Sequence, residues 1–277
     1  MTRWTVRTPG AELPVVEHGN PEARSTVLLV HGYPDNRHVF DPLIAELGDR
    51  VRVIAYDTRG SGASALETAA DVSIEQLARD AFAVVESIPG LPGKVHVFAH
   101  DWGSVQMWEA MASPRASTAF ASYTSVSGPS LDHLRQVARA RLVRPQRWPS
   151  LLGQLARSWY VFGFHVPVLG TRVPGLLARL NAASEPTPTV ADQQRGIALY
   201  RANVLRRLLG GPVPRCAVPT TVVVPTHDRM LSPNLTDGLD RWIPDLRVDQ
   251  VEAGHWWPYT HPVDAARVLM ARVREAE

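Results

Sequence analysis

Short apolar runs alternate with amphipathic segments through most of this chain. Leu13–Glu17, Thr26–Val30, Val51–Tyr56, Val95–Ala99, Ser122–Val126, Thr221–Val224 and Arg247–Val251 read as strands. Several are continuous apolar runs, the pattern of strands covered on both faces. Helical spacing is found at about 37–47, 73–87, 103–112, 235–241 and 262–275. Ser73 before Ile74, with Gln76 three residues on, predicts an N-cap and capping box, and Pro89-Gly90 a stop. Strands alternating with helices predict an α/β protein with a mostly parallel central sheet, helices on both faces and right-handed crossovers.

The alternation breaks at Gly128-Pro129. From Leu131 to about Leu209 the pattern is helical and strand-poor, interrupted by prolines at 145, 149, 167, 174, 186 and 188. Strand rhythm resumes after Pro214. The expected organisation is an α/β core from 1–128 and 215–277 with a helical cap inserted at 129–214. A length of 277 residues with 45% hydrophobic content is enough for one large domain of this kind.

Composition adds exclusions. Cys216 is the only cysteine, so no internal disulfide can form and no cysteine metal site is expected. Met1–Gly10 carries no apolar signal segment, and no run approaches the roughly 18 apolar residues of a membrane span. A cytoplasmic protein without an integral membrane segment is expected, as monomer or homodimer. The net charge of +2 conceals an asymmetry. Residues 129–215 hold 13 arginines against Asp132, Glu185 and Asp192, so the rest of the chain is acidic. A solvated helical surface with ion pairs across a domain boundary is expected, and a face for anionic lipid or an acidic partner is the alternative. No nucleic-acid motif accompanies the charge, so no nucleic-acid partner is expected.

The candidate chemistry centres on Phe98-Ala99-His100-Asp101-Trp102-Gly103-Ser104. A buried strand, a sharp turn bearing one polar residue, then a helix is the layout of the nucleophile elbow of α/β-hydrolases. Asp101 stands where such elbows usually carry serine. A carboxylate nucleophile forms an ester on its own side chain, which suits an sp³ carbon bearing an oxygen or halide leaving group. A helix N-terminus favours negative charge at that position. In this fold an acid and then a histidine follow the nucleophile in the chain. Asp228 lies just beyond Thr221–Val224, and His255 just beyond Arg247–Val251. Ligand sites in open α/β sheets gather at such carboxyl ends, so Asp101, Asp228 and His255 are expected to converge. After Thr26–Val30 comes His31-Gly32-Tyr33-Pro34. The backbone N–H groups of Tyr33 and Trp102 are the expected oxyanion donors, and His31 is expected to pack within its loop.

Together these residues resemble α/β-hydrolase-fold epoxide hydrolases over nearly the whole chain. His31-Gly32-Tyr33-Pro34 matches that family's H-G-x-P motif, whose proline is usually cis. Asp57-Thr58-Arg59-Gly60-Ser61-Gly62-Ala63-Ser64 matches its D-x-R-G-x-G-x-S loop, and His100-Asp101-Trp102-Gly103 its nucleophile motif. Ala99 departs from a usual glycine, and His261 from a usual acidic residue. The family uses two cap tyrosines as acids toward the epoxide oxygen. Tyr160 precedes Phe164-His165-Val166-Pro167 as the first precedes F-Q-x-P, with His165 replacing glutamine. Leu199-Tyr200-Arg201-Ala202-Asn203 resembles its W-Y-R-N segment with one residue inserted. Phe164, Trp256 and Pro34 are expected to line the substrate pocket. The phrases Ala99–Ala110, Ser125–His133 and Ser158-Trp159-Tyr160 are similar to the hydrolase half of actinobacterial EphD-type proteins, which join an epoxide hydrolase to a short-chain dehydrogenase. No G-x-x-x-G-x-G dinucleotide motif occurs, and neither cofactor nor metal is expected.

The resemblance implies hydrolysis of a small hydrophobic epoxide by water, in two steps, through an Asp101 ester. Two alternatives stand beside it. A haloalkane dehalogenase would use the same Asp-His-Asp set with the Trp102 indole on halide, but usually has asparagine at the position of Tyr33. A non-catalytic binding module would not be expected to keep all three residues.

Overall fold

The computed structural model describes residues 1–276 except 68, 167–168, 182–188 and 212, and side chains at 169 and 178–181 lie outside the description. Pro167, Pro186 and Pro188 therefore lie outside the described residues. The elements run β1 (Arg3–Thr8), β2 (Ala11–Gly19), β3 (Thr26–Val30), α1 (Asp41–Leu47), β4 (Arg52–Tyr56), β5 (Ala65–Leu66), α2 (Ile74–Glu86), β6 (Val95–His100), α3 (Trp102–Ala112), α4 (Ala116–Ala119) and β7 (Phe120–Val126). Helices follow: α5 (Leu131–Leu142), α6 (Trp148–Arg157), α7 (Trp159–His165), α8 (Val173–Asn181), α9 (Val190–Arg195) and α10 (Ile197–Leu209). The chain closes with β8 (Thr220–Pro225), β9 (Leu246–Val251), α11 (Trp257–Thr260) and α12 (Pro262–Ala276).

One sheet carries all these strands in the order β1-β2-β4-β3-β6-β7-β8-β9, with β5 against β2. Pairing is antiparallel at β1, β2 and β5 and parallel from β4 through to β9. The continuous apolar runs are explained by two cores, one on each face. Along β3, Leu28 and Val30 enter one core while Val27 and Leu29 enter the other. The first core is closed by α2 and α3 through Phe82, Met107 and Trp108, the second by α1 and α12 through Leu43, Leu47 and Leu269. Parallel strands put the C-terminal ends of β3, β6, β7, β8 and β9 along one edge.

Two local expectations are corrected. Residues 235–241 form two short 3-10 turns, Pro233–Thr236 and Leu239–Arg241, instead of one helix. Gly238 between them has φ 78, a left-handed value that ends a right-handed turn. At α2 the Ser73 hydroxyl accepts the Gln76 N–H at 3.3 Å, but no reciprocal box forms. The Gln76 amide points inward and donates to Asp80 at 2.9 Å. Asp80 in turn takes a two-pronged buried ion pair from Arg59, at 2.7 and 2.8 Å, which pins the 57–64 loop to α2.

Ion pairs join α10 to the sheet-covering helices. Arg206 meets Glu75 at 2.6 Å, and Arg207 reaches Glu75 at 2.9 Å, Glu109 at 2.5 Å and Asp132 at 3.1 Å. Arg206 and Arg207 thus meet carboxylates of the core helices, and Arg141 adds a further contact with the core at Asp237. Buried Asn203 adds a second tie: its side chain accepts the Ile74 N–H at 2.9 Å and donates to Val72 C=O at 2.9 Å. Among the described residues, no helix is long and apolar enough to cross a membrane.

Candidate active site

Asp101 occupies the turn between β6 and α3 with φ 52 and ψ −124. A left-handed φ in a residue with a Cβ costs about 1–3 kcal/mol and must be imposed by its surroundings. Here the Asp101 N–H donates to Val126 C=O at 3.0 Å, while its C=O accepts the Val105 N–H at 2.9 Å. Glycines make room for the turn. A Cβ on Gly103 would collide with the carbonyls of Val30 and His31, and one on Gly32 with the Asp101 carboxylate and the Trp102 nitrogen. With that crowding removed, the Tyr33 N–H donates to Asp101 Oδ1 at 2.7 Å. The Tyr33–Pro34 bond is cis. His31 is buried, its Nδ1 facing Gly32 C=O at 3.0 Å and its Nε2 accepting the Thr58 N–H at 2.9 Å. Its place is inside the loop.

His255 and Asp228 meet Asp101 from the ends of β9 and β8. His255 Nδ1 lies 2.7 Å from Asp228 Oδ2, and His255 Nε2 lies 3.4 Å from Asp101 Oδ2. The other oxygen of Asp228 accepts N–H bonds from Met230 at 2.7 Å and Leu231 at 3.0 Å. Burial disfavours the Asp228 charge. His255 and these hydrogen bonds outweigh it, and the carboxyl is held below its ordinary range. Burial likewise disfavours a charged His255, but Asp228 and Asp101 overcome it and push the imidazole up to about 10.

Two residues that sequence reasoning did not assign hold this histidine in place, and a third holds its neighbour Trp256. His100 Nε2 donates to His255 C=O at 2.9 Å, and Ser127 Oγ reaches the same carbonyl at 3.3 Å. Burial, then the neighbouring His255, lowers His100 to about 4, so it is neutral. Asp35 accepts the Trp256 indole N–H at 3.0 Å. The only signal in the sequence is adjacency: His100 precedes Asp101, Asp35 follows Pro34, and Ser127 follows β7.

The two tyrosines come from α7 and α10 and are both buried. Their ring centroids are 5.9 Å apart, and Tyr200 also packs edge-on against Trp102 at 4.9 Å and Tyr33 at 5.4 Å. Arg201 Nε donates to Phe164 C=O at 2.7 Å, which locks α10 to α7. Burial raises the Tyr160 hydroxyl above its ordinary range, and the Asp101 charge raises it further. Burial, then the neighbouring Tyr160 and Asp101, does the same for Tyr200. Both are therefore protonated phenols at neutral pH.

A cavity of about 230 Å³ opens between these groups, with Asp101, His255, Trp102, Tyr160 and Tyr200 in its wall. The rest of the wall is mainly apolar, including Val105, Leu131, Leu134 and Val204. Pro34 and Trp256 instead line a smaller cleft of about 20 Å³ that shares Asp101, Tyr160 and Tyr200. The expectation for Phe164 is corrected: it lines neither space. Four residues beyond Tyr160 on α7, it faces inward and packs behind the tyrosines, 4.7 Å from Tyr200 and 5.7 Å from Tyr160. Ala99 is fully buried in β6, and His261 is exposed.

Residues 25–262 match the family described as alpha/beta hydrolase fold. The chain is 35% identical to the probable oxidoreductase EphD of Mycobacterium tuberculosis, an alignment spanning 99% of this chain and 49% of that protein. It is 22% identical to bifunctional epoxide hydrolase 2 of Mus musculus, over 95% of this chain and 53% of the other. The chain thus spans about half the length of these curated relatives. A Bacillus megaterium epoxide hydrolase solved with an inhibitor superposes with a TM-score of 0.79 at 18% identity, over 98% of this chain and 100% of that one. An epoxide hydrolase from Vigna radiata gives 0.74 at 20% identity, over 99% and 98%. The family match, the sheet order and the turn at Asp101 agree: this chain belongs to the α/β-hydrolase fold family.

Proposed function

We propose that this protein is an epoxide hydrolase, converting an apolar epoxide to a vicinal diol through a covalent ester on Asp101. The observation that carries the reading is the placement of two buried tyrosines in the cavity wall with Asp101 and His255. On this reading residues 129–214 act as a helical cap that supplies both tyrosines and excludes water.

Asp101 Oδ1 is engaged by the Tyr33 N–H, so Oδ2 is the attacking oxygen. It bonds to a ring carbon as the ring C–O bond breaks. Negative charge develops on the epoxide oxygen, where Tyr160 and Tyr200 donate hydrogen bonds and a proton. The charge on Asp101 is lost in the ester. That removes part of what holds His255 protonated, so it can pass its proton to the tyrosine left as phenolate and serve as the base of the second step. His255, oriented by Asp228, takes a proton from water, whose oxygen adds to the Asp101 carbonyl carbon. The resulting oxyanion faces the N–H groups of Tyr33 and Trp102. Collapse breaks the ester, the diol oxygen leaves with the proton from His255, and the new Asp101 carboxyl returns its own proton to His255, which regenerates the carboxylate.

A dehalogenase needs donors for halide and no proton. The Trp102 ring here packs edge-on against Tyr200, and Tyr33 stands where such enzymes usually have asparagine. Both observations favour the epoxide. Turnover of aryl, alkyl and fatty epoxides beside haloalkanes tests the assignment. Diol formation is expected from at least one epoxide class, and halide release without diol would transfer the assignment to the dehalogenases.

A further inference from the structure

We propose that the outer face of α6 and α7 docks on an anionic lipid surface and that the cavity opens within that face. Trp148, Leu152 and Leu155 on α6, then Trp159 and Phe162 on α7, recur at intervals of four and three residues, an apolar stripe along each helix, and Val166 follows at the end of α7. Each is between 40% and 62% exposed. A soluble core helix does not leave two tryptophans, two leucines and a phenylalanine in water together. Elsewhere the exposed large apolar residues among those described occur singly or in pairs, such as Leu142 with Val143 and Leu205 with Leu209.

Charge indicates what covers the stripe. No carboxylate occurs between Asp132 and Glu185. Arg139, Arg144, Arg147 and Arg157 in this stretch are exposed. None of the four forms an ion pair among the described residues, whereas Arg206 and Arg207 on α10 are paired with carboxylates. Arginines beside an apolar stripe rich in tryptophan, leucine and phenylalanine is the composition of a helix lying at a lipid–water interface. A protein partner or a second copy of this chain would have to offer a large apolar and acidic surface. The outer faces of this same helix pair carry no carboxylates for self-pairing.

The stripe is continuous with the cavity. Leu155 and Phe162 are exposed and also line it, as does Leu205 on α10. An apolar molecule dissolved in the lipid would thus meet the entrance without crossing water. Docking itself does not depend on what chemistry follows.

Cosedimentation of the full chain with fluid phosphatidylcholine vesicles, with and without phosphatidylglycerol, tests this without reading turnover. Binding is expected to the anionic vesicles and to weaken as salt rises. Each basic side chain at an anionic surface contributes roughly fivefold. The Arg144→Gln/Arg147→Gln variant should therefore bind about 25-fold more weakly. Trp148→Ser/Leu152→Ser, which removes two stripe residues outside the cavity wall, should lose at least about tenfold. Circular dichroism and thermal melts should be unchanged for both. Absence of binding to anionic vesicles, or equal binding by wild type and both variants, would overturn the proposal. So would dimers that dissociate in Trp148→Ser/Leu152→Ser while vesicles go unbound, since a second copy would then be the occupant.

Discussion

Replacing Tyr160 and Tyr200 by phenylalanine, singly and together, probes the feature that separates epoxide opening from halide displacement. Tyr→Phe keeps the rings that pack on Phe164 and Trp102 and removes only the hydroxyls. Folding should therefore survive, with little change in stability. A hydrogen bond to an oxygen becoming anionic contributes about 1.5–3 kcal/mol, or roughly 10- to 150-fold in rate. Each single variant should slow Asp101 alkylation by about that factor, because the remaining phenol still donates to the same oxygen. The double variant leaves no acid, and general acid catalysis contributes about 10²–10⁴-fold. Its loss should exceed that of either single variant by at least about tenfold, and the two effects need not multiply, since the hydroxyls act on one atom. Single-turnover stopped-flow measurement of alkylation, with circular dichroism as a fold check, gives all three rates. A folded double variant that opens epoxides at near wild-type rate would refute the role of these tyrosines.

His255→Gln should permit alkylation and stall ester hydrolysis, so intact-protein mass spectrometry should find an adduct of the epoxide's mass. Binding of substrate without an adduct would remove His255 from the second step. The same histidine predicts a pH dependence of stability. Its folded-state pKa is raised from the ordinary 6.5 to about 10, so its contribution is complete below 6.5 and is lost as pH climbs through 10. Urea titrations should give wild-type stability falling across that window, with a shallower fall in His255→Gln; equal slopes would contradict the ion-pair account.

Much of this arrangement is legible in the residue pattern, and the exceptions have physical causes. Strands β3, β4, β6 and β8 carry apolar runs because helices cover both sheet faces, and β7 is buried in the same way although it holds Ser122, Thr124 and Ser125. β1 is not evident because it is an edge strand whose arginines and threonines face water, with only Val6 buried. The helical spacing of Leu235 and Leu239 fits two tight turns as well as one helix, and only the backbone at Gly238 decides between them. Asp101, Asp228 and His255 can be located because strand ends and chain order place them on one edge. The side-chain facts cannot be located in this way. Glu75 and Arg207 are 132 residues apart, and nothing local pairs them. The inward turn of Phe164 depends on the approach of Tyr33 and Tyr200 from other elements. The support of His255 by His100, and of Trp256 by Asp35, needs strand ends to be adjacent in space.

The covalent ester on Asp101 is the centre of the account, and single-turnover hydrolysis in ¹⁸O-water tests it most directly. If Asp101 attacks the epoxide, the oxygen added in the first turnover comes from its carboxylate. The first diol should then be unlabelled, and ¹⁸O should appear in Asp101 on peptide mass analysis. A first diol carrying full label, with Asp101 unlabelled, would mean that water attacks the epoxide directly and would contradict the account.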